Sequence, residues 1–231
     1  MSESQRQTAL YHLRDLIIRG ELHGGEKLRA SHLAEEMDIS RTPISEALLQ
    51  LEGEGLLIGD KSGFTVRSFT LEDVYDAIDL RGVLEGTAAQ FAAEKGVPAD
   101  RILRLRGLLK EMDGIVEAGH ARGYDKLNED FHAELVACAE SPIFSEEVKR
   151  SYRLPFAAPS SFPTRESDTK RFLNSIIIGQ AQHHRIVQAL EARQGARVFA
   201  LMREHALLAR RNVDAALEND APVPQLAMLR G

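Results

Sequence analysis

Residues 40–51, Ser-Arg-Thr-Pro-Ile-Ser-Glu-Ala-Leu-Leu-Gln-Leu, constrain this chain more than any other stretch. Ile44, Ala47, Leu48 and Leu51 recur at i, i+3, i+4 and i+7, which gathers them on one face of an α-helix. Thr42 can cap the free N–H groups of the first turn, and Pro43 suits the first helical position, where it has no N–H to lose. The other face then offers Arg41, Thr42, Ser45 and Gln50 to solvent, beside a helix N-terminus whose amides and dipole favour a phosphate. One buried face and base-reading side chains on an exposed first turn make DNA the first partner to consider.

The flanking residues extend the pattern. Ser31–Met37 reads as a preceding short helix and Asp38-Ile39-Ser40 as a tight turn, together a helix-turn-helix. Gly55 can end the helix at Glu54. Two β-prone runs, Leu56-Leu57-Ile58 and Phe64-Thr65-Val66, flank Gly59-Asp60-Lys61-Ser62-Gly63 and predict a hairpin wing. A helix over about Gln5–Arg19, with Leu10, Leu13, Ile17 and Ile18 inward, completes a small winged helix-turn-helix.

The chain resembles the GntR family of bacterial transcription regulators through Gly20-Glu21-Leu22, Gly25-Glu26-Lys27-Leu28, Leu33-Ala34-Glu35, Ser40-Arg41-Thr42-Pro43, Glu46-Ala47-Leu48, Leu51-Glu52 and Glu54-Gly55-Leu56-Leu57. The resemblance covers most of residues 10–67 and departs from the family pattern at two positions. Gly24 stands where the family usually has Pro, and Ser45 where it usually has Arg. Arg can grip guanine O6 and N7 with a bidentate fork. Ser makes one shorter bond, worth less than the roughly 1–3 kcal/mol of a good base contact, so an altered operator or weaker specificity is expected.

Net charge alone does not announce a DNA-binding protein, because the chain carries −6 and its first seventy residues are themselves acidic. Affinity must come from a local patch, for which Lys27, Arg29, Arg41 and Lys61 are the candidates, with salt-sensitive binding as the consequence; Thr42, Ser45 and Gly63 of the wing complete the expected DNA-binding residues. The alternative is an ordinary scatter of solvated charge. The length of 231 residues suits a small domain plus a larger one. The apolar runs fall short of a bilayer span and the N-terminus lacks a signal-peptide segment, so a cytoplasmic protein is expected, with no membrane partner. Cys138 is the only cysteine and sits among apolar neighbours, as a small core residue would.

After Arg67 the strand signals stop and helical periods begin. The expected organisation is mainly α: a winged helix-turn-helix over 1–67, an all-helical effector-binding and dimerisation bundle over 68–217, and a loose tail over 218–231. Helices are predicted at about 71–95, 99–119, 123–140, 143–153, 169–192 and 195–217, punctuated by Gly96-Val97-Pro98, Gly119, Gly123, Ser141-Pro142 and Gly195. Pro155–Thr169, with three prolines, is expected to be a long surface connection.

Three histidines sit on the apolar stripes of these helices. His132 lies among Tyr124, Leu127, Phe131, Leu135 and Val136, with Asn128 at i−4 on its own face. His183 falls in the series Phe172, Ile176, Gln180, Val187, Leu190, and His205 in the series Val198, Met202, Ala209. Each can be a hydrogen-bonded core histidine, or the three can share a metal; the pattern leaves both open. His184, rotated by about 100° from His183, is not expected to be a ligand.

Asn128-x-x-Phe131-His132, His183-x-x-Ile186-x-x-Ala189 and His205 resemble the signatures of the FCD ligand-binding domain, which defines the FadR-like branch of the GntR family. That resemblance implies a divalent metal held by Asn128, His132, His183 and His205 at the bottom of an effector pocket. Zinc is the first expectation, and nickel, manganese or iron are the alternatives. It also implies a homodimer reading an inverted repeat of double-stranded DNA, most often as a repressor, with a small organic acid as effector. A neutral Asn ligand leaves one more positive charge than a carboxylate would, which an anion can balance. Arg81, matching an Arg common in the family's first effector-domain helix, is the candidate effector-binding residue; an i,i+4 ion pair with Glu85 is its other reading.

A metal-dependent enzyme is the alternative class, since Glu117-x-x-His120 and Glu129-x-x-His132 have the spacing of di-iron carboxylate bundles. Gly119 and Gly123 break the first of these, and a winged helix would be unexplained. No catalytic residues are therefore assigned. A metal-free helical dimerisation module is the third reading.

Overall fold

The computed structural model describes residues 2–18, 21–61, 63–120, 123–152, 154 and 169–218. They form two compact units, the first running to Val74 and the second beginning at Tyr75. The predicted connection over Pro155–Thr169 lies, up to residue 168, outside the described residues, as does the predicted tail from residue 219 on.

The first unit contains α1 (Ser2–Ile18), β1 (Lys27–Leu28), α2 (Ala30–Glu36), α3 (Arg41–Gly53), β2 (Leu57–Asp60) and β3 (Gly63–Val66). Ile44, Ala47, Leu48 and Leu51 are fully buried against Leu13 and Ile17 of α1 and Leu56. Each large apolar side chain removed from water contributes about 1.5–3 kcal/mol. The start of α3 differs in detail from the sequence expectation. Ser40, in extended conformation, is the N-cap residue, so Thr42 and Pro43 are the second and third helical residues. Proline is tolerated there because the first-turn N–H groups have no intrahelical acceptor.

Glycine ends α3 as expected. Gly55 adopts φ +78°, and the amides of Gly55 and Leu56 reach back to the carbonyls of Glu52 at 2.8 Å and Leu51 at 3.0 Å, a Schellman closure. Glu54, nearly buried beside it, receives Arg14 Nη2 at 2.7 Å and Nε at 3.1 Å, which pins α1 to the end of α3.

The sheet is antiparallel in the order β1-β3-β2. The wing strands are longer than expected, because Gly59 pairs with Phe64 and Asp60 with Gly63. The Gly59 amide donates to Glu52 Oε1 at 3.1 Å, and a side chain at Gly59 would collide with that carboxylate. β1 has two residues, too few to leave a period-two signature.

The second unit contains α4 (Leu71–Lys95, whose first turn belongs to the first unit), α5 (Ala99–Glu117), α6 (Tyr124–Ala137), α7 (Pro142–Ser151), α8 (Thr169–Glu191) and α9 (Gly195–Glu218). These follow the predicted helices closely. α6 and α7 end two or three residues early, α6 because Cys138 caps it and Glu140 turns left-handed at φ 49°. Leu105, Met112, Phe131, Leu135, Ile186 and Val198 are fully buried in the core. Gly82 and Gly86 let α4 lie close on α9: a methyl at Gly82 would come within 2.6 Å of Ala206 Cβ, and one at Gly86 within 3.1 Å of the Phe199 ring. That close approach places Arg81 and Glu85, on the same stretch of α4, inside the bundle. No described helix is long and apolar enough to cross a membrane.

Candidate metal centre and nucleic-acid interface

His132 from α6, His183 from α8 and His205 from α9 meet in the interior of the second unit, with one ring nitrogen of each within 4.8 Å of the others. His183 Nε2 and His205 Nε2 are 3.2 Å apart. All three rings are buried, at 1%, 0% and 9% exposure. Packing of Phe131 against His183, at 4.4 Å between ring centroids, helps fix the cluster.

The outward nitrogens explain which way the inward ones point. His132 Nδ1 donates to Glu85 Oε2 at 3.0 Å. His205 Nδ1 lies 2.9 Å from Gln182 Oε1. His183 Nδ1 lies 3.3 Å from Gln180 Oε1. The Gln180 amide cannot be reversed, because its Nε2 donates to the Leu109 carbonyl at 3.1 Å and to Asp113 Oδ1 at 2.7 Å, both pure acceptors. Each Nδ1 faces an oxygen, and the tautomer protonated there leaves Nε2 to present a lone pair to the cluster's centre. His132 Nε2 is buried with no hydrogen-bond partner. Two facing lone pairs and an orphaned third, all imidazole nitrogen, suit a divalent cation.

Burial keeps the His183 and His205 rings in the ligating form. Burial, reinforced by the neighbouring His205, His132 and His184, pushes His183 well below its ordinary pKa of 6.5. Burial, then His132 and Arg81, lowers His205 from 6.5 to about 3. For Glu85 burial works toward protonation, but the hydrogen-bonded His132, the charge of Arg81 and the Tyr152 hydroxyl outweigh it and hold the carboxyl at about 2. Tyr152 donates to Glu85 Oε1, so both carboxylate oxygens are engaged.

The cluster lines a cavity of ≈ 70 Å³ together with Arg81, Asn128, Gly179 and Leu208. Asn128 is buried one turn before His132, and Arg81 is 2% exposed. The geometry therefore brings together all four sequence-predicted metal residues and the predicted effector residue. His184 stands outside, half-exposed, bonded to Asp113 at 2.9 Å. Cys138 is buried as expected, and burial, then Glu134, raises its thiol to about 12. Glu117 ends α5 and His120 lies exposed beyond it.

Sequence reasoning missed the three groups that orient the histidines. Glu85 was weighed only as a partner of Arg81, although its place one turn further along a buried stripe marked it as inward. Gln180 lies three residues before His183 on the same stripe and carried a usable signal. Gln182 serves a histidine on another helix, which no local spacing reveals.

In the first unit, Arg41 and Thr42 are exposed on the first turn of α3, with Ser45 half-exposed one turn on. Lys27 on β1, Arg29 before α2 and Lys61 in the wing turn are exposed. Gly63 opens β3 at φ +135°, where a side chain would also meet the Leu28 carbonyl at 3.0 Å; the backbone alone calls for glycine there. Gln50, expected in solvent, turns back to donate to Glu54 Oε1 at 3.0 Å.

Residues 5–66 match the bacterial regulatory proteins of the gntR family, and residues 76–208 match the FCD domain. The chain belongs to the GntR family of bacterial transcription regulators. It is a DNA-binding regulator with a C-terminal FCD domain, not an enzyme. LutR, an HTH-type transcriptional regulator of Bacillus subtilis (strain 168), is 30% identical over 207 residues, 82% of this chain and 92% of LutR. The Nta operon transcriptional regulator of Aminobacter aminovorans is 34% identical over 137 residues, 58% of this chain but only 63% of that protein, less than two thirds of its length. Among solved structures, E. coli McbR/YncC has the same fold at a TM-score of 0.64 and 19% identity, covering 93% of this chain and 98% of that one.

Proposed function

We propose that this GntR regulator is a homodimer that binds an inverted repeat through its winged helices and releases it when a small organic acid occupies the FCD cavity, acting as a repressor. Asn128, His132, His183 and His205 would hold a divalent metal, zinc first, to which the acid would be anchored. The observation that carries this reading is the convergence of three buried imidazoles, each with its Nδ1 beside an outward oxygen. The bound ion would supply a Lewis-acidic centre with open positions for an oxygen ligand. Asn128 brings no charge and Glu85 offsets Arg81, so the ion's charge is left for an anion to balance. Arg81 offers a guanidinium fork for the acid's second oxygen pair.

On the DNA side, Arg41, Thr42 and Ser45 read bases, and Lys27, Arg29, Lys61 and the Gly63 wing backbone hold phosphates. Effector and operator favour different dimer geometries, with a reciprocal coupling of about 1–3 kcal/mol.

The test is selection of binding sites from a random duplex library by the metal-loaded chain and by Ser45→Arg at near-physiological salt. An inverted repeat is expected, with a base preference that changes at the position Ser45 faces. Failure to enrich any repeat, with and without divalent metal, overturns the operator reading. Loss of effector response is expected in His132→Ala; a variant that still responds normally removes the metal from the account.

A further inference from the structure

Helix-interior glycines of the second unit differ in what a methyl group would meet. At Gly82 and Gly86 it would press on α9, so packing demands glycine. At Gly107 and Gly114 nothing lies within 4 Å. Gly179 belongs to neither set. A methyl there would sit 3.5 Å from Leu208 Cδ2, 3.7 Å from His205 Cε1 and 3.9 Å from the Tyr124 hydroxyl, ordinary contact distances on three sides.

Gly179 lies mid-way along α8 in helical conformation, where glycine weakens a helix. Neither its backbone nor its packing excludes alanine. What the missing side chain leaves is room: Gly179 lines the same cavity as Arg81 and the histidine cluster. At ≈ 70 Å³ that cavity is far smaller than the roughly 300–1,000 Å³ of a drug-sized pocket, so one methyl removes a large share of it.

We propose that Gly179 sets the size of the effector, its bare Cα seating the carbon chain of a short aliphatic carboxylate whose oxygens lie at the histidine cluster and Arg81. The inference rests on the metal-and-acid reading above. Leu208, Ile176 and Ala209 in the lining give a short carbon chain apolar surface to pack on, beside the polar Asp125, Ser175 and Asn212.

The full-length chain loaded with cobalt(II) provides a direct readout, because the metal's visible bands shift when an oxygen ligand binds. Wild type, Gly179→Ala and Gly114→Ala are each titrated with formate, acetate, propionate and butyrate. In Gly179→Ala the cobalt bands persist and formate still shifts them, while the longest acid that wild type accepts loses about tenfold or more in affinity. Gly114→Ala, a methyl facing open solvent on α5, follows wild type. If Gly179→Ala binds the whole series as wild type does, the size-setting role is overturned while the acid site stands. If no acid shifts the bands of wild type, both are overturned. A Gly179→Ala chain with a lowered melting temperature also overturns the proposal, since packing would then be the reason for glycine.

Discussion

Lys27, Arg29, Arg41, Thr42 and Lys61 stand exposed on the first unit, whereas Arg81, Asn128, His132, His183 and His205 are buried in the second. These exposed side chains, the proposed DNA contacts, sit on a scaffold held by other residues: the apolar face of α3 and the Arg14–Glu54 pair. The histidines are themselves part of a core, so each hydrogen-bonding atom on their outward edge must be satisfied by protein. Function and stability are separable in the first unit and joined in the second.

The sharpest way to break that contrast is to truncate one residue of each kind. His183→Ala removes a fully buried ring, leaves Gln180 Oε1 with only the Tyr124 hydroxyl at 3.5 Å and opens space beside Phe131. Metal affinity is expected to fall by more than the roughly 10–100-fold that loss of an outer partner costs. Stability is expected to fall by about 2 kcal/mol or more. Metal analysis after dialysis and a thermal melt check the two together, and a variant that loses metal with no loss of stability would show that the cluster is not part of the core's support.

Arg41→Ala should behave in the opposite way. Operator affinity is expected to drop about 10- to 100-fold, from a base contact worth roughly 1–3 kcal/mol, while the melt stays within about 0.5 kcal/mol of wild type as for ordinary surface changes. Titration of the selected operator by each protein measures the first quantity. A stability loss comparable to that of His183→Ala would mean that Arg41 holds the fold and not the DNA.

Gln182→Met sharpens the comparison inside the second unit. It keeps the bulk of the side chain and removes the acceptor for His205 Nδ1, 2.9 Å away. The ring is then free to adopt the other tautomer, and metal affinity is expected to fall toward the lower end of about 10–100-fold. Competition with a chromophoric chelator measures it; unchanged affinity would show that Gln182 does not select the tautomer.

Much of this was legible in the sequence because helical period and apolar burial are local signals. The punctuating glycines set helix ends to within a few residues, and the stripe positions of His132, His183 and His205 placed all three inward. What was not legible is long-range. Gln182 orients a histidine on a different helix, and the closeness of α4 to α9 that brings Glu85 to His132 depends on Gly82 and Gly86 meeting Ala206 and Phe199. The two-residue β1 strand exists only because β3 pairs with it. The start of α3 was misplaced by two residues because Ser40 and Thr42 are both good capping residues, and only the backbone chooses between them.

A pH dependence follows from the same contrast. His183 and His205 bind protons less readily when folded than their ordinary 6.5, His205 doing so only near 3. Below about pH 6.5 the unfolded chain therefore takes up protons that the folded chain refuses, and stability rises with pH wherever the unfolded state binds more protons. Their contribution is full above the ordinary value and is lost as pH falls toward 3. Glu85 adds the same sign lower down, its stabilisation present above 4.5 and lost as pH falls through about 2. Melts of the metal-free chain should thus shift downward from neutral pH toward pH 4, and added divalent metal should oppose the shift, since it competes with protons for the same Nε2 lone pairs. A melting temperature that stays flat across that range would mean that the buried rings accept protons as readily folded as unfolded, and the contrast between an exposed surface and a buried cluster would lose its electrostatic half.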